Sequence, residues 1–206
     1  MLDIRRGNTA QVFSYSRGRV CKLFYQGMPY EYVRQEFKNA RMLFEWGIRV
    51  PEAFEIVSRN GRHGIVYEKI NGVSMWERAD KGHVLEKFLA EHKKFLNMST
   101  DNRLMPYKEF IIAMIERGNE GEDFKGFIKE IRGLPDGNSV LHGDYHPGNV
   151  MITEAGEFVI IDLLNVCCGP KEYDVARTFF LLENGCCEHY LARVLRKHED
   201  FIPELD

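Results

Sequence analysis

Apolar and polar residues alternate over the first third of the chain and then give way to a helical rhythm. Residues 11–15 (QVFSY) and 19–24 (RVCKLF) follow a period of two, with Ser16-Arg17-Gly18 between them, and predict a hairpin. Residues 55–58 and 64–68 predict a second hairpin, closed around Asn60-Gly61, a strong two-residue turn signal. Between the hairpins, residues 30–46 place Tyr32, Phe37, Ala40, Leu43 and Phe44 at helical spacing. Gly47 stops that helix and Pro51 prevents its renewal. The expected order is hairpin, helix, hairpin: a small antiparallel sheet with one helix laid across it.

After Asn71-Gly72 the pattern turns helical. Residues 84–96 put Leu85, Phe88, Leu89 and Phe95 on one apolar face, and 107–116 and 124–131 predict two more helices. Gly133 and Pro135-Asp136-Gly137 end that run. A strand–turn–strand unit follows, with Glu154-Ala155-Gly156 as its turn, and then helices at 173–182 and 188–197. The fold class is therefore α+β and bilobal: residues 1–70 form a strand-rich lobe and 71–206 a mainly helical one. No internal repeat or low-complexity tract interrupts it.

Composition narrows the classes. A chain of 206 residues suits one compact domain or two small lobes, and 44% hydrophobic with 29% charged residues is ordinary for a globular protein. A net charge of -3 argues against general nucleic-acid binding, which favours a strongly basic face. No apolar run approaches the roughly 20 residues that span a bilayer, so no membrane association is expected. The first residues, MLDIRR, lack the apolar core of a signal peptide. Five cysteines include the adjacent pairs Cys167-Cys168 and Cys186-Cys187, which is not zinc-ligand spacing. They read as small apolar residues in a reducing, cytoplasmic setting. Glu183, Glu188, Glu199, Asp200, Glu204 and Asp206 make the C-terminal segment acidic, but Arg193, Arg196 and Lys197 lie among them, so it reads as a mixed solvated surface.

The chemistry concentrates in residues 141–150, LHGDYHPGNV. An aspartate five residues ahead of an asparagine, opened by His-Gly, has the spacing of a phosphoryl-transfer loop. A buried-strand run then ends in a second carboxylate, Asp162. Moving a phosphoryl group from ATP needs a group near the acceptor hydroxyl and oxygen ligands for Mg²⁺. Asp144 suits the first role; Asn149 and Asp162 suit the second. His142 and His146 read as loop-orienting groups. ATP phosphates also need a cation, and Lys22 sits in mid-strand between Val20 and Leu23-Phe24, an unusual place unless its ammonium has a partner. Glu36 can supply one from the helix that follows, with Glu31 as its competitor.

His142-Gly143-Asp144-Tyr145-His146-Pro147-Gly148-Asn149 resembles the catalytic loop of the aminoglycoside phosphotransferase and choline kinase family, and Ile161-Asp162 with residues 169–177 (GPKEYDVAR) resembles its metal-binding segment and following helix. The resemblance is strong over 141–177, moderate over 22–51 and weak elsewhere. It implies a protein-kinase-like fold, ATP and Mg²⁺ as cofactors, and a small-molecule acceptor bearing a hydroxyl. It places the Glu68 carbonyl and Ile70 amide at a hinge that reads adenine, with Val20, Tyr67 and Ile161 as walls. Residues 6–12 would be a reduced phosphate-covering loop. Asp174, at a helix start where a carboxylate is a favoured cap, would support the catalytic loop from behind. Leu163-Leu164 replaces the aromatic residue that relatives commonly carry after the metal-binding aspartate. A compact protein kinase is an alternative, disfavoured by His-Gly-Asp in place of His-Arg-Asp and by the lack of an Ala-Pro-Glu segment. A non-catalytic nucleotide binder is another, disfavoured because a binder needs no Asp144.

Overall fold

The computed structural model describes residues 5–78, 82–100, 103–118 and 124–184. The expected helix at 188–197, the acidic positions beyond Glu183, and Cys186-Cys187 lie outside the described residues. The described strands are β1 (Arg5–Arg6), β2 (Ala10–Ser16), β3 (Arg19–Phe24), β4 (Ala53–Arg59), β5 (Arg62–Glu68), β6 (Gly72–Ser74), β7 (Ser139–Leu141), β8 (Val150–Thr153), β9 (Phe158–Ile160) and β10 (Cys167–Gly169). The helices are α1 (Tyr30–Glu45), α2 (Gly82–Leu96), α3 (Tyr107–Gly118), α4 (Lys125–Gly133) and α5 (Lys171–Asn184), with short 3₁₀ turns at Met75–Arg78 and Pro147–Asn149. The chain divides into two compact units, one made of Met1–Arg78 and Pro147–Leu164, the other of Ala79–His146 and Asn165–Asp206.

In the first unit, β1 to β5 form one antiparallel sheet in the order β1-β2-β3-β5-β4. Asn60 and Gly61 close the β4–β5 hairpin with φ of 52° and 71°, the two positive angles of a type I′ turn. Helix α1 buries Val33, Glu36, Asn39, Ala40, Met42 and Leu43, a stripe at helical spacing that includes two polar residues. Its end is a Schellman motif: Gly47, at φ 79°, donates its N–H to the Phe44 carbonyl, and Ile48 donates to that of Leu43.

The same unit holds a second sheet, β6-β8-β9, in which Gly72 pairs with Thr153 and Val150 with Ile160. The sheet needs β6 from one stretch of chain and β8 and β9 from another, so Pro147–Leu164 belongs with the N-terminal residues. Gly72 makes the pairing possible, since a Cβ there would lie 2.4 Å from the Ile152 carbonyl oxygen.

The second unit is mainly helical. Its short ribbon pairs β7 with β10, Leu141 opposite Cys167. Leu96, Tyr107, Leu141, Cys167 and Val175 form a buried cluster, with Phe110, Ile111, Tyr173 and Phe179 packed against it. Cys21, Cys167 and Cys168 are free and buried. No helix among the described residues is long and apolar enough to cross a membrane.

Candidate functional site

In the first unit the chemistry gathers on Lys22. Val12 and Ile65 lie opposite it on β2 and β5. Its ammonium donates to both carboxylate oxygens of Glu36, at 2.8 and 3.0 Å, and to Asp162 Oδ1 at 2.8 Å. Glu36 is 1% exposed, whereas its competitor Glu31 lies on the outer face of α1. Burial works against the Lys22 charge, but the Glu36 and Asp162 carboxylates outweigh it and hold the ammonium above its usual pKa. Burial in turn pushes the Glu36 carboxyl up, with Lys22 opposing. Tyr67, expected as an adenine wall, is buried and donates its hydroxyl to Glu36 Oε1 at 3.0 Å. Glu36 Oε1 therefore accepts from two donors at once.

Asn149 and Asp162 stand at the same end of one hairpin. Asn149 immediately precedes β8, Asp162 lies just past β9, and the Ile161 N–H donates to the Asn149 carbonyl at 2.9 Å. Asp162 adopts φ 61°, a left-handed conformation rare outside glycine, and keeps its side chain 41% exposed. The next residue is anchored by α1, where the Asn39 side-chain amide, buried on the stripe, donates to the Leu163 carbonyl at 2.9 Å. The Asn39 oxygen accepts from Gln35 at 2.8 Å.

Around the expected phosphate loop, Gly7 donates its N–H to the Ala10 carbonyl at 2.9 Å, and the Tyr25 hydroxyl donates to the Gly7 carbonyl at 3.1 Å. At the expected hinge the Glu68 N–H donates to the Glu52 carbonyl, and its carboxylate takes two guanidinium donors of Arg49, at 2.9 and 3.1 Å. That fork holds the Glu68 carboxyl below its usual range. Ile70 is half-buried two residues on.

In the second unit the loop 142–146 is gripped from two helices. Asp174, in the first turn of α5 and wholly buried, accepts the His142 N–H at 2.9 Å on Oδ2 and the Gly143 N–H at 2.7 Å on Oδ1. Its oxygens go to the loop, so it does not serve as a helix cap. Its third donor is His92 Nε2 of α2, at 3.1 Å. Burial raises the Asp174 carboxyl, but the His92 hydrogen bond and charge, with the His142 contacts, bring it below its usual value. Gly143 sits at φ 74° with no room for a Cβ, which would lie 2.5 Å from the Asn165 carbonyl oxygen. His142 is buried and turned inward, and its Nδ1 accepts the Asp144 N–H at 3.2 Å.

The Asp144 carboxylate lies between His146 and Arg177. His146 Nε2 is 3.7 Å from Oδ2, and Arg177 Nη2 is 3.8 Å from Oδ1. Arg177 also donates its Nε–H to the Gly143 carbonyl at 3.2 Å. Burial raises the Asp144 carboxyl, but the adjacent His146, with His142 and Arg177, outweighs it, leaving it below the usual range. Sequence reasoning missed Asn39, the Tyr67 hydroxyl, His92 and the role of Arg177. Only Asn39 left a signal, as a polar residue three positions after Glu36 on an otherwise apolar stripe.

A five-stranded antiparallel sheet bearing a lysine–glutamate pair, followed by helices and a His-Gly-Asp loop, is a protein-kinase-like arrangement. Residues 114–204 match the model of the Phosphotransferase enzyme family, and the resemblance to the aminoglycoside phosphotransferase and choline kinase group holds in the solved structures. An aminoglycoside-3'-phosphotransferase of type VIII superposes with a TM-score of 0.70 at 17% identity, covering 100% of this chain and 88% of the other. The APH(3'')-Id phosphotransferase of Streptomyces rimosus, in complex with ADP and streptomycin, gives 0.69 at 13% identity, covering 98% and 87%. An ethanolamine kinase of Plasmodium vivax gives 0.64 at 15% identity, covering 97% and 68%. At these identities the likeness defines the fold. No curated protein sequence matches the chain.

Proposed function

We propose that this protein transfers the γ-phosphoryl group of ATP to a hydroxyl of a small molecule, with Mg²⁺. The observation that carries the reading is the Lys22 ammonium, held at 2.8 Å from both Glu36 and Asp162. A cation fixed in mid-sheet by a buried carboxylate is aimed rather than solvated, and phosphate oxygens are its natural ligands. Glu36 aims Lys22, and Tyr67 holds Glu36. The Glu68 carbonyl and Ile70 amide are assigned to adenine, which leaves the Glu68 carboxylate free to be bound by Arg49.

The donor set suits Mg²⁺. Asp162 offers an anionic and Asn149 a neutral oxygen, both hard ligands, and Asp162 is half exposed. An Mg²⁺ ion there would be held by Asn149 and Asp162. Such an ion neutralises charge on the phosphates. Asp144 receives the acceptor hydroxyl. Its lowered pKa makes it fully ionised at neutral pH and a weak base. That suits a loose transition state, in which orienting the hydroxyl matters more than early proton removal, and the proton passes to Asp144 late. His142, Asp174 and Arg177 fix the loop that presents it. The buried free cysteines support a reducing, cytoplasmic setting. The similar solved structures supply the acceptor classes to try first: aminoglycosides and amino alcohols.

The test is Mg²⁺-dependent ADP release from ATP across aminoglycosides, amino alcohols, sugars and nucleosides, with Asp144→Ala as control. Acceptor-stimulated release that falls by about 10²–10⁴ in the variant is expected. Release that no acceptor stimulates, or that Asp144→Ala leaves unchanged, overturns the reading.

A further inference from the structure

We propose that His92 is a positioning residue for the Asp144 loop, joining the two grips that hold it; this rests on the role assigned to Asp144 above. The loop residues 142–145 are consecutive, and each side of Asp144 is clamped by a different helix. Upstream, Asp174 of α5 takes the His142 and Gly143 amides. Downstream, Tyr145 is fully buried, its ring inserted against α2. It stacks on Phe88 at 4.4 Å between centroids and on His92 at 4.1 Å, and its hydroxyl donates to the Phe88 carbonyl at 2.9 Å. Phe88 and His92 are four apart on one helix, so they present their rings on the same face.

His92 touches both clamps. Its ring face lies on Tyr145 with the planes 13° apart, and its Nε2–H donates to Asp174 Oδ2, the oxygen that also takes the His142 N–H. Packing alone does not account for a histidine here. The residue is 1% exposed, and its Nδ1 has no hydrogen-bond partner among the described residues. A phenylalanine would keep the stack and leave no orphan nitrogen. What the histidine adds is the donor to Asp174. A buried carboxylate needs its donors to stay ionised and in one rotamer. With His92 in place, Asp174 has three, and its two oxygens are fixed on successive amides of the loop.

Two variants separate the donor from the ring. His92→Phe keeps the stack and removes the donor; His92→Gln keeps a donor at the reach of Nε2 and removes the ring. The first readout is hydrogen exchange of the His142 and Gly143 amides in the full chain, which requires no activity. The second is kcat and KM for ATP in the ADP-release assay. If His92 positions the loop, His92→Phe speeds exchange at both amides and lowers kcat, each by about tenfold or more, the loss of one hydrogen bond to a charged group. KM for ATP stays within about twofold, because uniform nucleotide binding is untouched. His92→Gln restores most of both. Wild-type exchange and kcat in His92→Phe, with His92→Gln impaired, overturn the proposal and leave His92 a core filler. Where His92→Phe does not fold, His92→Met serves as the donor-free variant. A wild-type protein without ADP release overturns the proposed function, while the exchange comparison still decides whether His92 holds the loop.

Discussion

Lys22 makes three short contacts with one ammonium, and the consequences of removing it differ from those of removing a surface lysine. The Glu36 carboxylate is 1% exposed, so Lys22→Ala leaves a buried charge without its cation. The expected loss is about 3–5 kcal/mol of stability, together with weaker ATP binding. Adding Glu36→Gln removes the stranded charge, and the double variant unfolds at a higher denaturant midpoint than Lys22→Ala alone. Urea titration checks the order; a double variant less stable than the single one contradicts it. Asp174 makes a pH prediction. Its folded pKa is depressed below the ordinary 3.8, so the unfolded chain binds the proton more readily. Its stabilisation is therefore complete above the unfolded value and is lost as pH falls through the folded one. Asp174→Asn should flatten the loss of stability below about pH 4, read as the urea midpoint against pH.

Among the elements, the β6-β8-β9 sheet controls where the candidate metal ligands stand. Asn149 and Asp162 flank β8 and β9, and β6 pins β8 through Gly72 opposite Thr153. Gly72→Ala drives a methyl to 2.4 Å from a carbonyl oxygen of the neighbouring strand, where only backbone movement relieves the clash. We expect about 1–3 kcal/mol of destabilisation and weaker Mg²⁺-dependent ATP binding, with metal-free nucleotide binding less affected. Thermal melts and calorimetric titration with and without Mg²⁺ measure the two effects. An unchanged Mg²⁺ dependence would show that β8 does not set the position of Asn149. Helix α5 works in the other unit through one turn: Asp174 and Arg177, three residues apart, take the amides and the carbonyl at the start of the loop.

For the molecule as a whole, a nucleotide that binds only the folded chain raises stability by mass action. Mg²⁺ with ATP at a hundred times its dissociation constant contributes about 2.7 kcal/mol, or about 5–10 °C in Tm for a chain of this size. Chelating the metal should remove most of that shift if Asn149 and Asp162 hold it. An equal shift in the presence of chelator would remove Mg²⁺ from the proposed site. The units of this molecule are discontinuous in sequence, since residues 147–164 join the first 78.

The turns and the motif were legible from the chain alone because their physics is local. Asn60-Gly61 closes a hairpin, Gly47 ends α1, and the 142–149 spacing marks the loop, each through conformational preferences acting over a few residues. A mid-strand lysine also announced that it needed a partner. What only the tertiary structure decided is which groups answer each other over long separations. It chose Glu36 over Glu31 because the α1 stripe buries one and exposes the other. It turned the Tyr67 hydroxyl onto Glu36, joined β6 to β8, and set Asp174 and His92 behind the loop. Those pairings depend on which faces are buried together, and burial is a property of the packed chain that no short window of sequence carries.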